Sequence, residues 1–308
     1  MTTIDPADPW RRAALDHNDV SAAPQVDAST NASMRTERIA ANARYEAFAA
    51  GSGPDTQDEC FDYDDPKHNY DPCVHAEVEN PVLFLRQPSD ADRVDVQDVE
   101  QVGVGDCYLM ATLDALTATP EGRKLIEGAI AENRDDKGAV VSYTVTLHRP
   151  EAHRLRANTF SDVRVTVDGS YVVGHANARP GSGLNEVWPL VIEKAYAQYQ
   201  GGYNAMGHGG DACNAMEILT GREATVTRLR GPASWFKTFP PERLQSDLAA
   251  GKLVVLQTRR DIGQSANTRS ATKPDAHKLI GAHAYLVTGL EKSEGHLFVK
   301  LHNPWNPG

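Results

Sequence analysis

The hydrophobic pattern sharpens after Asn80 and changes its period along the chain. Leu109, Leu113 and Leu116, with Met110 beside them, recur at helical spacing behind Cys107, so CYLMATLDAL predicts a helix whose first turn holds the cysteine. Thr119-Pro120-Glu121 supplies a cap and a first-turn proline for a second helix. The alternating runs VVSYTVTLHR and DVRVTVDGSYVV read as strands, with Asp168-Gly169 as a hairpin turn in the second run. In EVWPLVIEKAYAQYQ, Trp188, Val191, Ile192, Ala195, Tyr196 and Tyr199 line one face of a helix and are assigned to core packing. DACNAMEILTG predicts a shorter helix stopped by Gly221, and PPERLQSDLAAG another ended by Gly251. After these come three strands, KLVVLQT, HAYLVTGL and HLFVKLHNP, the last two joined by a KSEG turn.

Helices with a small hairpin, followed mainly by antiparallel strands, predict an α+β fold with two lobes rather than a doubly wound sheet. Residues 1–79 are rich in Ala, Asp, Ser, Thr and Pro and read as a variable arm, linker or pro-segment, with one helix around MRTERIAANARYEAFAA that ends at Gly51-Ser52-Gly53-Pro54. Residues 80–225 form the helical lobe and 226–308 the β-rich lobe.

Composition narrows the class. The 308 residues are enough for a substantial core without disulfides or metals, and 40% hydrophobic with 24% charged residues is ordinary for a soluble protein. A net charge of −11 argues against nucleic acid or anionic membranes as the main partner. No window approaches eighteen unbroken apolar residues, and the N-terminus lacks the basic-then-apolar order of a Sec signal. The localisation expected is cytoplasmic, or secreted by another route. Cys60, Cys73, Cys107 and Cys213 are too widely spaced for a disulfide framework, and Cys60 and Cys73 with His68 and His75 fit no common zinc pattern.

Cys107 stands out because it follows the glycine turn QVGVGD at a helix start. The positive end of the helix dipole and nearby free N–H groups favour a thiolate there, so its pKa is expected to fall. A nucleophile also needs a base and a group to orient that base. His283 opens one C-terminal strand and Asn303 ends the next, so pairing through KSEG puts them near the same end of one sheet. Gln101 can bring its amide N–H2 beside the Cys107 backbone N–H to form an oxyanion hole, the turn being eased by Gly103 and Gly105. Trp305 would shield the Asn303–His283 hydrogen bond from water.

QVGVGDCYLMATLDAL resembles the cysteine motif of calpain-type, papain-like thiol proteases, GAHAYLVTGL their histidine motif and VKLHNPWNPG their asparagine motif. EVWPLVIEKAYAQYQGGYNAMGHGGDACNAMEILTG is similar to a fourth conserved stretch, and all four occur in the family's order over roughly residues 88–308. The resemblance implies a two-lobed cysteine endopeptidase acting on protein or peptide substrates, with Cys107 as nucleophile, His283 as general base and acid, Asn303 as orienter, Gln101 as oxyanion donor and Trp305 as shield. It also implies calcium sites: Asp98 stands where the family supplies a carboxylate, and Glu186 or Glu193 would supply another. No EF-hand pattern is present.

Two features depart from the family pattern. The chain stops at Asn306-Pro307-Gly308 where the family usually continues with further strands, which suggests a fragment or a minimal variant, and Tyr108 replaces the commoner tryptophan. Two other functions remain open, an acyl-transferring, transglutaminase-like enzyme and a catalytically silent binding protein. An arm without regulatory modules would also suit a secreted effector or toxin. Oligomeric state is left open.

Overall fold

The computed structural model describes residues 11–15, 59–60, 71–72, 75–86, 92–101, 104–151, 158–172, 180–181, 184–227, 241–258, 279–293 and 296–305. The helix expected over 34–50 and the tip of the KSEG turn lie outside the described residues. The first strand, Arg11–Leu15 (β1), pairs antiparallel with the last strand of the chain, Arg11 opposite Leu301.

The helix behind the cysteine is Cys107–Thr117 (α1), and every residue after Cys107 in it is buried. It is therefore a central helix, apolar nearly all round, rather than a surface one. Pro120–Ala129 (α2) begins as expected, Thr119 Oγ1 accepting the Gly122 N–H at 3.0 Å. At Ala129 the chain passes directly into Ile130–Arg134 (β2), a strand the sequence pattern did not disclose. It pairs antiparallel with Val140–Glu151 (β3), which pairs in turn with Thr159–Val167 (β4). The alternation is fulfilled on the buried face by Tyr143, Val145, Leu147, Val163, Val165 and Val167.

One expectation fails here. Asp168-Gly169 does not close a hairpin: Ser170–Val172 pairs with His75–Glu77, in a different sheet from β4. The reason is that Asp168 Oδ1 accepts from the Ser170 N–H and from Lys194 Nζ, so the turn is fastened to the next helix and turns the chain away from β4. That helix is Trp188–Gln200 (α3), followed by Tyr203–Gly207 (α4) and Ala212–Thr220 (α5), the last closed by Gly221 at φ 63°. Pro241–Ala249 (α6) and Gly251, at φ 71°, also match the pattern.

Val255–Gln257 (β5), Ala284–Ser293 (β6) and His296–His302 (β7) complete a four-stranded antiparallel sheet in the order β1-β7-β6-β5. Leu286 on β6 faces Val255 on one side and His302 on the other. There are two hydrophobic cores among the described residues. The larger contains α1, α2, α3, α5 and the β2–β4 sheet, and the smaller joins Tyr285, Val287, Val299 and Leu301 to Leu244, Leu248 and Leu256. Ala284 packs into the first and Tyr285 into the second, as alternation along a strand requires, so β6 stands at the seam between them. Helices and strands together give the α+β class. No described helix is long and apolar enough to cross a membrane.

Candidate active site

Cys107 is the first residue of α1 and is partly exposed, at the same seam. Asp106 caps the helix through its backbone: its carbonyl accepts the N–H groups of Leu109 at 2.7 Å and Met110 at 3.1 Å, and its side chain makes no capping bond. The thiol does not have the lowered pKa expected from its helix position. Burial pushes it up to about 12, the negative charge of Asp106 adds to that, and hydrogen bonds from the backbone of Ala284, Tyr108 and Cys107 itself pull the other way without prevailing. The helix-terminus N–H groups thus act on the sulfur as anticipated, but desolvation outweighs them. Ala284 is the residue after His283, so the thiol touches the backbone at the start of β6.

His283 is held on both sides. Its N–H donates to Thr258 Oγ1 at 3.0 Å, and its carbonyl accepts from the Thr258 N–H at 2.9 Å and from Thr258 Oγ1 at 3.1 Å. Ala282, immediately before it, takes a left-handed φ of 52°, an uncommon conformation for a residue with a Cβ. On the ring, Nε2 lies 2.7 Å from Asn303 Oδ1. An amide oxygen can only accept, so Nε2 carries the proton and Nδ1 presents a lone pair. Burial lowers the imidazole pKa to about 4, against which the Asn303 hydrogen bond raises it, so the ring is neutral at neutral pH.

Trp305 covers this contact. Its ring centroid is 4.3 Å from that of His283, its backbone N–H donates to Asn303 Oδ1 at 3.2 Å, and Tyr285 closes another side of the imidazole edge-on at 4.8 Å. Gln101 is tied to the same motif, its N–H donating to the Pro304 carbonyl at 2.7 Å. Its side-chain Nε2 donates to the Val104 carbonyl at 2.7 Å, which leaves one amide hydrogen for another acceptor. His283, Asn303 and Trp305 are thus in direct contact, Gln101 joins them through the Pro304 carbonyl, and Cys107 reaches the same place through the backbone of Ala284.

The acidic residues have other neighbours. Asp98 Oδ2 accepts from the Asp95 N–H at 2.6 Å and from the Trp188 indole at 3.3 Å, and Glu186 Oε1 accepts from the Leu85 N–H at 2.7 Å. No group of three or more His, Cys, Asp and Glu side chains gathers as a metal site among the described residues. Glu193 lies buried in electrostatic contact with Asp106; burial raises both, Asp106 to about 8, and the Asp106 charge raises Glu193 further.

Thr258 and Tyr285 are the residues that sequence reasoning missed. Thr258 carried no signal beyond standing at the end of KLVVLQT, and Tyr285 was visible only as a strand residue two positions from His283.

A thiol at the Ala284 backbone, a neutral His283 imidazole bound by Asn303 and an indole against that ring are the side-chain types that cysteine-nucleophile hydrolases use. Comparison with known proteins agrees. A family model described as calpain family cysteine protease matches residues 77–307. Calpain-9 of Rattus norvegicus is 30% identical over 238 residues, covering 74% of this chain and 30% of that protein. Calpain-8 of Rattus norvegicus is 28% identical over 218 residues, covering 68% and 28%, and the calpain-type cysteine protease DEK1 of Zea mays is 28% identical over 222 residues, covering 69% and 9%. The chain belongs to the calpain family of cysteine proteases. It spans less than a third of the length of these relatives.

Proposed function

We propose that the chain is a two-lobed, papain-like cysteine endopeptidase that hydrolyses protein or peptide substrates through a thioester acyl-enzyme. The observation that carries this reading is the 2.7 Å Asn303–His283 contact at the seam where the Cys107 thiol meets the backbone of Ala284. In the first half-reaction Nδ1 of His283 takes the thiol proton as sulfur attacks the peptide carbonyl carbon. The tetrahedral oxyanion accepts from the Cys107 N–H and the remaining Gln101 amide hydrogen. Collapse breaks the C–N bond, the imidazolium protonates the leaving amine, and a thioester remains. In the second half-reaction His283 deprotonates water, which attacks the thioester, and the thiol is regenerated as the acid leaves. Asn303 holds the ring through both halves, and Trp305 keeps water from competing for its oxygen.

Residues 80–225 would form the lobe of the nucleophile and 226–308 that of the base. Calcium suits the hard oxygen donors Asp98 and Glu186, which would supply two of the six to eight oxygens that the ion takes, backbone carbonyls completing the set. The buried Glu193, held close to another carboxylate, is the poorer candidate. Unchanged hydrolysis in the presence of a chelator would remove calcium from the account. A role as secreted effector or toxin rests on the composition of residues 1–79 alone.

The test compares wild type with Cys107→Ala on casein and on a peptide spanning residues 1–79. Cleavage by wild type only is the expected result; equal cleavage by both would exclude Cys107 as the nucleophile, and transfer of the acyl group to an added amine in preference to water would favour the transglutaminase-like reading.

A further inference from the structure

A second acid–imidazole contact lies in the molecule, and the reaction above makes no use of it. Asp114 is fully buried on α1, and neither of its carboxylate oxygens has a hydrogen-bond partner among the described residues. His302 Nε2 lies 3.7 Å from its Oδ2, also buried, at the end of β7. Removing a carboxyl group from water without a partner is costly, so a lone aspartate is an improbable choice for a helix that is otherwise apolar. Burial raises the Asp114 carboxyl and lowers His302 to about 4, so it disfavours the charged form of each.

The pair's location gives it a role. Asp114 is seven residues from Cys107, two helical turns along the same face of α1 and about 10 Å away along its axis. That face thus meets the C-terminal sheet at two polar points: the Cys107 sulfur at the Ala284 backbone on β6, and Asp114 at His302 on β7. His302 is the residue before Asn303, whose Oδ1 holds His283. Apolar side chains alone allow a helix to slide or rotate by fractions of a turn, whereas a buried polar pair admits one register.

We propose that Asp114 and His302 are positioning residues, a buried pair that fixes the register of the nucleophile helix against β7 and so keeps Asn303, and through it His283, aligned with Cys107. The proposal rests on the peptidase reading only for its kinetic consequence. It distinguishes itself from simple structural support because removing His302 takes from the buried Asp114 carboxyl its one charged or polar side-chain neighbour named above, while replacing both by apolar residues restores stability. Register is not restored by that replacement.

The test is a double-mutant cycle over Asp114→Leu, His302→Leu and the double variant, read as thermal midpoint without substrate and as kcat and KM on a peptide. Each single variant is expected to lower the midpoint. The double variant is expected to recover most of it yet to keep kcat depressed about tenfold or more, with KM little changed, as misplacement of reacting groups would do. Asp114→Asn, which retains hydrogen-bonding atoms in the same shape, should hold kcat close to wild type. Recovery of kcat along with stability in the double variant would overturn the proposal, as would additive losses of midpoint. If the leucine pair does not fold, Asp114→Ala against Asp114→Asn decides, and equal kcat values overturn it. A wild type that cleaves nothing but shows strong thermal coupling between the two positions would count against the peptidase reading and leave the pair standing.

Discussion

The Nε2 of His283 and the Oδ1 of Asn303 are 2.7 Å apart, and that one contact decides which ring nitrogen carries the proton and which keeps a lone pair. Asn303→Ala removes the acceptor, frees the tautomer and lets the ring turn. A loss of kcat on the order of 100-fold is expected, the scale of positioned acid–base catalysis, with KM changed little. Steady-state kinetics on a fluorogenic peptide would check it.

The resting site holds a neutral thiol and a neutral imidazole, because burial pushes Cys107 up to about 12 and His283 down to about 4. Alkylation of Cys107 by iodoacetamide is therefore expected to be slow at pH 7 in the substrate-free protein and to climb toward alkaline pH. A preformed thiolate–imidazolium pair would instead give fast labelling with a plateau through neutrality. Mass spectrometry of labelled peptides over a pH series distinguishes them. If calcium aligns the site, adding it accelerates labelling, and chelator reverses the gain.

Stability should respond to pH in two opposite directions. His283 and His302 have folded-state pKa values near 4, below the ordinary 6.5, so the unfolded chain binds more protons between those values and stability falls as pH drops through that window. Asp106, raised to about 8, has the reverse sign: its contribution is complete below pH 3.8 and is lost as pH rises toward 8. Above pH 6.5 only the acid effect remains, so the thermal midpoint declines from there to about pH 9. Asp106→Asn should make that decline shallower, the buried Glu193 and Asp114, raised in the same direction, supplying the rest, and scanning calorimetry at several pH values measures it.

Gly210 lies against Tyr108, where a Cβ would come within 2.6–2.9 Å of three ring atoms. Tyr108 follows the cysteine and is buried with its hydroxyl 3.4 Å from the Met206 carbonyl, so the ring has no room to yield. Gly210→Ala is expected to destabilise the protein by about 1–3 kcal/mol, the usual cost of overpacking, and to lower activity by displacing the start of α1. Denaturant unfolding gives the first quantity and peptide hydrolysis the second.

Much of the fold around the candidate site was readable in the sequence because it was written in local signals. Glycine and aspartate before Cys107, the cap at Thr119-Pro120, the stops at Gly221 and Gly251, and the alternation in β6 and β7 all act within a few residues. What escaped depends on contacts between distant segments. Asp168-Gly169 has the chemistry of a hairpin turn, but Lys194 redirects it. Ile130–Arg134 is too short and too polar to announce a strand, and gains its place from β3. The rise in the Cys107 pKa could not be read either, since helix position was visible and the depth of burial was not. Asp114 and His302 carry no joint signal in the sequence, and the fold alone sets them 3.7 Å apart.

The most direct test of the account is to look for the acyl-enzyme itself. Wild type mixed with an activated peptide ester and quenched in acid should yield a peptide-sized mass adduct that maps to Cys107 alone, is released by hydroxylamine and is absent from Cys107→Ala. Hydrolysis that proceeds with no adduct in Cys107→Ala, or an adduct that maps to a different residue, would contradict it.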